Sequence, residues 1–259
     1  MGANEFAKLP HIGESLKRKE DVRFLTGAGQ YTDDITQANQ KFAAFVRSPH
    51  AHAVIKGVDT ARAAGMPGVA HVFTGKDMEG KMGGLPCGWL INNPDGSPMK
   101  EPPHPILAIH KVRYVGDHVA LVVADTLEQA RNAAEAVEVD YEVLAPVIDM
   151  RTARNGPALH DEAPDNQCYK WTLGDKAAVD AAFAGAAHVT KLDITNNRLI
   201  PNAMEPRAVN ATYNRAGDEY VIHVANQNPH VERLLMTAFV LGLPEHKVRV
   251  IAPDVGGGF

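Results

Sequence analysis

Near the end of the sequence, three consecutive glycines are well suited to bind a ligand through their backbone groups. They lie in the segment PDVGGGF, where Gly256, Gly257 and Gly258 precede Phe259. Because glycine has no Cβ, its N–H groups stay unshielded and a phosphate or the edge of a flat ligand can approach closely. The segment matches neither GxGxxG nor a P-loop. A flexible turn without a ligand also fits these residues.

A second candidate, Gln227, is placed beside these glycines by the predicted elements. Strands are indicated at 220–225 and 247–252, with an amphipathic helix between them that begins near Pro229. If the two strands are parallel, a right-handed crossover brings their carboxyl ends to one edge of the sheet. Gln227 and the turn at 256–259 would then face one crevice, where open α/β sheets usually bind ligands.

The histidines and Cys87 are weaker candidates for chemistry. His50 and His52 form an H-x-H pair beside a predicted strand, where i and i+2 share a face and could bind a metal ion. No further ligand lies near them at a suitable spacing. His230 and His246 flank the predicted helix, which favours surface or capping positions. Cys87 has no positive neighbour that would activate its thiol, so a loop cysteine without a role is expected.

The segment MEPRA places Glu205 and Arg207 on either side of a proline. A structural ion pair between the carboxylate and the guanidinium is the simpler expectation. Glu205 as a general base is the alternative, and the spacing alone gives it little support.

Composition excludes several classes of protein. Of 259 residues, 45% are hydrophobic and 22% are charged, as in ordinary globular proteins, and the net charge of −5 argues against general capture of nucleic acid. With only Cys87 and Cys168, the chain can build neither a disulfide framework nor an all-protein iron–sulfur site. No secretory signal and no apolar run of about 20 residues is present, so a cytoplasmic protein without a membrane span is expected.

Local patterns predict a mixture of strands and helices. In the first half, strands are indicated at 41–46, 52–58, 68–75, 119–124 and 137–143. Thr126 and Gln129 form a capping-box pattern at the start of the helix between the last two strands. The long segment 76–110 has little periodicity, which indicates a functional or partner-contacting loop.

A domain boundary is expected near residue 150. The polar, proline-containing stretch 145–170 is typical of a linker. Beyond it, 175–187 predicts a helix whose apolar side carries Val179 and Phe183. Residues 208–213 and 220–225 predict a hairpin.

Taken together in order, several segments resemble the molybdenum-binding large subunit of the xanthine dehydrogenase/aerobic carbon monoxide dehydrogenase family. They are RFLTGAGQYTDDI (23–35), the stretches 45–75, 112–144 and 174–189, NNRLIPNAMEPRAV (196–209) and the closing stretch 226–259. The combination of TGxGxYxDDI, MEPRA, QNPH and PDVGGGF at these spacings carries the resemblance, which extends from about residue 12 to residue 259.

This resemblance implies an α+β fold with two domains. An N-terminal arm at 1–18 would lead into an α/β hammerhead domain at 19–150. Residues 151–259 would form the first, incomplete part of a mixed α/β molybdopterin-binding domain.

Specific residues acquire roles by the same resemblance. Gln227 matches the glutamine whose amide reaches the apical oxygen of molybdenum. Gly257, Gly258 and Phe259 match the turn whose backbone lies against the metal and the pterin. No direct protein ligand to the metal is expected, and the chain would contain no catalytic residue of its own.

The chemistry implied is oxidative hydroxylation of an aldehyde, an N-heterocycle or a related small substrate, with water as the oxygen source. The cofactor would be molybdopterin, commonly in its cytosine dinucleotide form. Electrons would pass to an iron–sulfur subunit and an FAD-binding subunit. The remaining partner would be the rest of the molybdenum-binding subunit.

The sequence also departs from the family pattern. A full large subunit is about three times as long, and the family's catalytic glutamate and substrate loop have no counterpart here, so the substrate cannot be read. We therefore expect no turnover by this chain alone, whether the subunit is divided or truncated. The alternatives are a non-catalytic assembly or binding module of such a complex and, less favoured, a protein that binds adenine nucleotides at its glycine turn.

Overall fold

The structure, a computed structural model, describes residues 13–258. The strands are β1 (Phe42–Arg47), β2 (Ala53–Asp59), β3 (Val69–Thr74), β4 (Lys111–Val112), β5 (His118–Ala124), β6 (Glu138–Val143), β7 (Val209–Asn214), β8 (Glu219–Val224) and β9 (Val248–Ile251). The α-helices are α1 (Asp21–Leu25), α2 (Ala61–Ala64), α3 (Gly75–Met78), α4 (Leu127–Glu135), α5 (Lys176–Gly185) and α6 (Pro229–Leu235). Short 3₁₀ helices cover Thr32–Asp34, Ala153–Asn155 and Glu245–Lys247, and a π-helix covers Met236–Leu241.

These elements form two compact units that do not follow chain order. The first unit contains the described residues up to Thr36, together with Pro201–Pro229 and the residues from Arg249 onward. The second unit contains Gln37–Ile200 and His230–Val248. Helices and strands mix in the chain, as the predicted α+β class requires. Within the described residues, every helix is too short or too polar to cross a membrane.

The second unit is built around β5, which is the central strand of an antiparallel sheet with the order β1-β5-β3. Most of its apolar residues are fully buried, so this strand is covered on both faces. Helix α4 packs against β1 and β5. Val72, Val122 and Ala133 meet in the resulting core, so the sheet and the helix share one apolar layer.

A second antiparallel sheet of the same unit has the order β4-β2-β6. The predicted strand–helix–strand sequence is confirmed, but the two strands lie in different sheets. Ala53, Val112 and Val119 form a separate buried cluster, on which Val139 and Tyr141 of β6 pack. Helix α4 therefore connects two sheets instead of forming a crossover within one sheet.

The capping box at the start of α4 is present as predicted. The backbone N–H of Gln129 donates to the hydroxyl oxygen of Thr126 (3.1 Å), and the N–H of Thr126 donates to Oε1 of Gln129 (3.1 Å). These two bonds satisfy backbone donors that the first helical turn leaves without a partner.

Part of the loop at 76–110 is fixed inside the second unit. The N–H of Gly83 donates to the carbonyl oxygen of Val240 in the π-helix (2.9 Å), and a Cβ at Gly83 would collide with the carbonyl of Phe239. Glycine is therefore required at this approach of two backbones. In contrast, Trp89 and Leu90 at the far end of the loop are exposed, and a role for them in partner contacts stays a prediction.

The first unit holds the sheet β7-β8-β9. β7 and β8 form the predicted antiparallel hairpin, and β9 is the neighbour of β8 in the sheet. The residues before β1 include α1 and a 3₁₀ turn at Thr32–Asp34. Residues 1–12 of the N-terminal arm expected at 1–18, and Phe259, lie outside the described residues.

The two helices predicted in the second half of the chain differ in what they bury. The helix predicted at 175–187 is α5, and Val179 and Phe183 on its apolar side are both exposed. In the helix after Pro229, the structure buries Thr237 and Val240. The π-helical turn shifts the phase of the helix, and the Thr237 hydroxyl donates to the carbonyl of Arg233 (2.8 Å) within this irregular segment.

The capping box yields a test of local stability. We expect Thr126→Ala to lower the free energy of unfolding by about 1 kcal/mol, because the first turn of α4 loses its cap. Thr60→Ala is the matched control, since Thr60 precedes α2 without a side-chain cap. Urea denaturation measures both variants, and equal losses in the two would contradict the assignment.

Candidate functional site

The candidate site lies in the first unit, where the glycine turn follows β9. Gly257 has a φ of 152°, a backbone conformation that side-chain-bearing residues rarely adopt. Gly257 and Gly258 are both exposed. The turn therefore offers accessible backbone at a position that requires glycine.

The structure brings Gln227 next to this turn. A Cβ built on Gly258 would lie 2.9 Å from Nε2 of Gln227, so the glycine backbone approaches the side-chain amide closely. Before it, Oδ1 of Asn226 accepts from the N–H of Asn228 (2.9 Å), which turns the chain around Gln227. Gln227 itself is exposed. Of the four residues assigned by resemblance, Gln227, Gly257 and Gly258 are in the described site, and Phe259 is outside it.

Glu205 holds the start of the glycine turn. Its Oε2 accepts from the N–H of Gly256 (2.7 Å), and its Oε1 accepts from the N–H of Thr32 (3.2 Å). The backbone N–H of Glu205 also donates to the carbonyl oxygen of Gly256 (3.4 Å). A Cβ at Gly256 would collide with the Glu205 side chain, so this approach again depends on glycine.

The expected ion pair between Glu205 and Arg207 is absent from the described residues. Both carboxylate oxygens of Glu205 accept backbone hydrogen bonds instead, and Arg207 is exposed. A carboxylate that is engaged in this way is poorly placed to remove a proton from a substrate. The arrangement therefore gives Glu205 a positioning role and does not support the general-base alternative.

Asp254 also holds the glycine turn, and we call its bonds to Arg23 and Gln30 the Asp254 bracket. Arg23 donates to both carboxylate oxygens of Asp254. Its Nη2 lies 2.6 Å from Oδ1, and its Nη1 bonds Oδ2. The N–H of Gln30 donates to Oδ2 of Asp254 (2.8 Å), and the N–H of Asp254 donates to the carbonyl oxygen of Gln30 (3.1 Å). The segment before the glycines is thus tied to residues 23–30 by side-chain and backbone bonds.

The electrostatics of this bracket follow from the bidentate pair. The Arg23 guanidinium holds the pKa of the Asp254 carboxyl below its usual value, and the hydrogen bond from the Gln30 N–H acts in the same direction. In turn, the carboxylate raises the pKa of Arg23. Asp254 therefore stays ionised, and the bracket keeps its charge-assisted bonds at neutral pH.

Spacing alone did not identify Arg23, Asp254 or Thr32 as site residues. Arg23 and Asp254 are 231 positions apart, and a pair at such a separation leaves no local pattern. In the sequence, Arg23 and Thr32 stood out only as members of the segment 23–35 that carries the resemblance, and Asp254 only as a carboxylate two residues before the glycine run. By itself, that carboxylate could equally well have been solvated.

The other candidates are not part of this site. His50 and His52 precede β2 instead of lying on it, so the argument that they share a face does not apply. His52 is buried with Nδ1 2.9 Å from the carbonyl oxygen of Ala145, and residues 13–258 contain no cluster of three metal-ligating side chains. The backbone N–H of Cys87 donates to Oε1 of Glu101 (2.6 Å), so the charged group bonded to this residue is negative.

Two family models match the chain. The α/β hammerhead domain of aldehyde oxidase and xanthine dehydrogenase matches residues 26–145, and the molybdopterin cofactor-binding domain matches residues 159–259. The second match includes Glu205, Gln227 and the glycine turn.

Curated relatives align along nearly the whole chain. The carbon monoxide dehydrogenase large chain of Afipia carboxidovorans is 36% identical over 99% of this chain and 32% of its own length. The nicotine 6-hydroxylase large subunit of Paenarthrobacter nicotinovorans is 39% identical over 96% of this chain and 30% of its own length. The chain therefore spans about a third of the length of these relatives.

Solved structures agree with these relatives. Quinoline 2-oxidoreductase from Pseudomonas putida 86 superposes with a TM-score of 0.82 at 32% identity, over 96% of this chain and 31% of the other. Carbon monoxide dehydrogenase from Oligotropha carboxidovorans gives a TM-score of 0.83 at 35% identity, over 99% of this chain and 32% of the other.

The fold and the two matched domains are those of the first third of molybdenum-binding large subunits, with hammerhead and molybdopterin-binding sequences in that order. The chain belongs to the xanthine dehydrogenase/aerobic carbon monoxide dehydrogenase family. Its expected α+β class, with a hammerhead domain followed by molybdopterin-domain sequence, is confirmed.

The contact between Gly256 and Glu205 can be tested by substitution. We expect Gly256→Ala to lower the free energy of unfolding by roughly 1–3 kcal/mol, because the added methyl group would collide with the side chain of Glu205. Gly185→Ala is the control, since a Cβ there meets nothing within 4 Å. Denaturation by urea compares the two variants. An unchanged midpoint for Gly256→Ala would show that the turn is held differently.

The Asp254 bracket predicts a pH dependence. Because the folded pKa of Asp254 is lowered, its contribution to stability is complete above the ordinary carboxyl range of about pH 4 and disappears as pH falls through the lowered value. The destabilisation caused by Asp254→Asn should therefore be constant at neutral pH and shrink on acidification. Denaturation curves across a pH series measure this difference.

An Arg23→Gln background serves as the control for this titration. Without the guanidinium, Asp254→Asn should cost less at neutral pH, because the main cause of the lowered pKa has been removed. If Asp254→Asn has the same effect at every pH and in both backgrounds, the bracket does not act through charge.

Proposed function

We propose that this chain is part of a molybdenum hydroxylase that oxidatively hydroxylates an aldehyde, an N-heterocycle or a related small substrate, with water as the oxygen source. The observation that carries the proposal is the contact between Gln227 and Gly258 inside the segment that matches the molybdopterin cofactor-binding domain. The relatives support the reaction class, since they include a carbon monoxide dehydrogenase large chain and a nicotine 6-hydroxylase large subunit.

The described residues fit a pterin cofactor with its metal centre. Gln227 and Gly258 are exposed and adjacent, and a side chain at position 258 would fill the space beside the amide. The glycine backbone offers N–H donors, and the amide of Gln227 offers both a donor and an acceptor. When bound, the molybdenum cofactor would supply the two-electron chemistry and the activation of water.

The chain's own residues would bind and orient this group. Gln227 would place a neutral amide beside it, without contributing charge or a protein ligand to the metal. Glu205 and Asp254 would keep the turn in place through Gly256 and Gln30. Because the carboxylates of Glu205 and Asp254 are engaged in hydrogen bonds that hold the turn, we propose that proton transfer depends on a part of the large subunit outside this chain.

The proposal includes specific partners and a specific cofactor form. We propose the cytosine dinucleotide form of molybdopterin, an iron–sulfur subunit and an FAD-binding subunit as electron acceptors, and the remainder of the molybdenum-binding subunit. Several relatives are themselves subunits of complexes, such as the 6-hydroxypseudooxynicotine dehydrogenase complex subunit gamma of Paenarthrobacter nicotinovorans. The proposed location is the cytoplasm, and this chain alone should show no turnover.

Native mass spectrometry with metal analysis tests this function on protein purified under mild conditions from its own cells. We expect about one molybdenum atom per copy of the chain, companion subunits that carry iron and flavin, and cytidine monophosphate after acid release. A metal-free chain without companions would favour the non-catalytic alternative. Turnover by the isolated 259-residue chain would contradict the proposal that it is a partial site.

A substitution at Gln227 tests the site itself. Gln227→Ala should lower turnover per bound molybdenum by at least about tenfold, because one hydrogen-bonding group beside the reacting centre is lost. Gln37→Ala in the second unit is the control and should leave turnover unchanged. Equal activity of the two variants would remove Gln227 from the site.

A further inference from the structure

A long stretch of the second unit is exposed along its whole length. Every residue from 169 to 200 is exposed, and we call this stretch the exposed arm. It includes α5, which at ten residues is shorter than the length at which an isolated helix is stable in water. A segment of this kind gains its stability from packing, yet no residue of α5 is buried.

The exposed arm carries large apolar side chains that a finished protein would cover. Leu192 is 79% exposed and Ile194 is 73% exposed, and Leu173, Leu199 and Ile200 are more exposed still. Scattered single apolar residues on a surface are ordinary, but an extended series of them marks an interface.

The last part of the exposed arm, after α5, also lacks backbone partners among the described residues. Within the described chain, residues 187–200 make no backbone–backbone hydrogen bond and belong to no helix or strand. In extended conformation, Thr190, Leu192 and Ile194 share one face, and Lys191 and Asp193 share the other. Open N–H and C=O groups with this apolar–polar alternation are what an added strand presents to the edge of a sheet.

The relatives indicate what covers the arm. It lies inside the matched molybdopterin-binding segment 159–259, and relatives that align over 99% and 96% of this chain are about three times as long. About two thirds of such a large subunit is therefore polypeptide that this chain does not contain. Lys191 and Asp193 alternate with the apolar residues, so they can stay in water while Leu192 and Ile194 are buried.

We infer that residues 189–195 add as a β-strand to an open sheet edge in the remaining part of the large subunit, with Leu192 and Ile194 packed into its core. The inference rests on the proposed function, since it assumes that this remaining part exists, on the same or on a second polypeptide. It assigns the exposed arm as the surface through which the partial site is completed.

Amide hydrogen exchange tests the pairing directly. In the isolated chain, amides 189–195 should exchange nearly as fast as those of an unstructured peptide. In the assembled protein from its own cells, alternate amides in this stretch should slow by at least about 100-fold, since an edge strand bonds to its neighbour through every second residue. Protection of none of them in the assembled protein would overturn the inference.

A pair of matched variants separates pairing from folding. Leu192→Asp with Ile194→Asp should reduce the yield of assembled protein at least about tenfold, because two charges would enter an apolar core. Lys191→Ala with Asp193→Ala changes the opposite face and should leave assembly within about twofold. All four side chains are exposed in the isolated chain, so its melting temperature should not change. Equal yields of the two double variants would contradict the strand assignment.

Metal content distinguishes the failure of this inference from failure of the proposed function. An assembled protein that holds molybdenum but leaves 189–195 unprotected would overturn the strand pairing alone. Protection without molybdenum would support the pairing and contradict the hydroxylase. Protection that appears in the isolated chain at high concentration would instead identify a second copy as the occupant and overturn the inference.

Discussion

The candidate site depends on the hydrogen bonds by which two carboxylates hold a run of glycines. Three glycines in sequence have no side chains to anchor them, and each loses much conformational freedom when it is ordered. Glu205 accepts from the N–H of Gly256, and Asp254, two residues before the run, is tied to Arg23 and Gln30. Without these bonds the exposed backbone beside Gln227 would have no fixed conformation.

Features set by neighbouring residues could be predicted from the sequence, whereas contacts between distant positions could not. Thr126 and Gln129 are three residues apart, and β5 is a single apolar run, so one local pattern was enough for each. Arg23 and Asp254 form their pair across 231 positions, where only the folded chain brings them together. The assignment of β5 and β6 to different sheets was missed for the same reason, since local periodicity shows a strand but not its neighbour.

Within the candidate site, the proximity of two segments could be predicted, but the hydrogen-bond partners of Glu205 could not. Proximity of Gln227 to the glycine turn was predicted from the order of two strands and a helix, and the structure places Gly258 against its amide. The role of Glu205 was not predicted, because an ion pair with Arg207 two residues away was the simpler local explanation. The backbone N–H groups of Thr32 and Gly256 each bond one oxygen of the Glu205 carboxylate, in place of Arg207. Unlike the Arg207 side chain, these backbone donors have fixed positions.

The glycine turn is held by hydrogen bonds within the first unit, whereas the exposed arm of the second unit is not covered. All the groups that bracket the glycine turn belong to the first unit, so the conformation of the turn does not require the exposed arm to be covered. The apolar side chains of the arm, in contrast, are exposed in this chain. A binding surface that is formed in advance loses less entropy on binding. Under the proposed function, completion of the subunit would be needed for the chemistry and not for the shape of this surface.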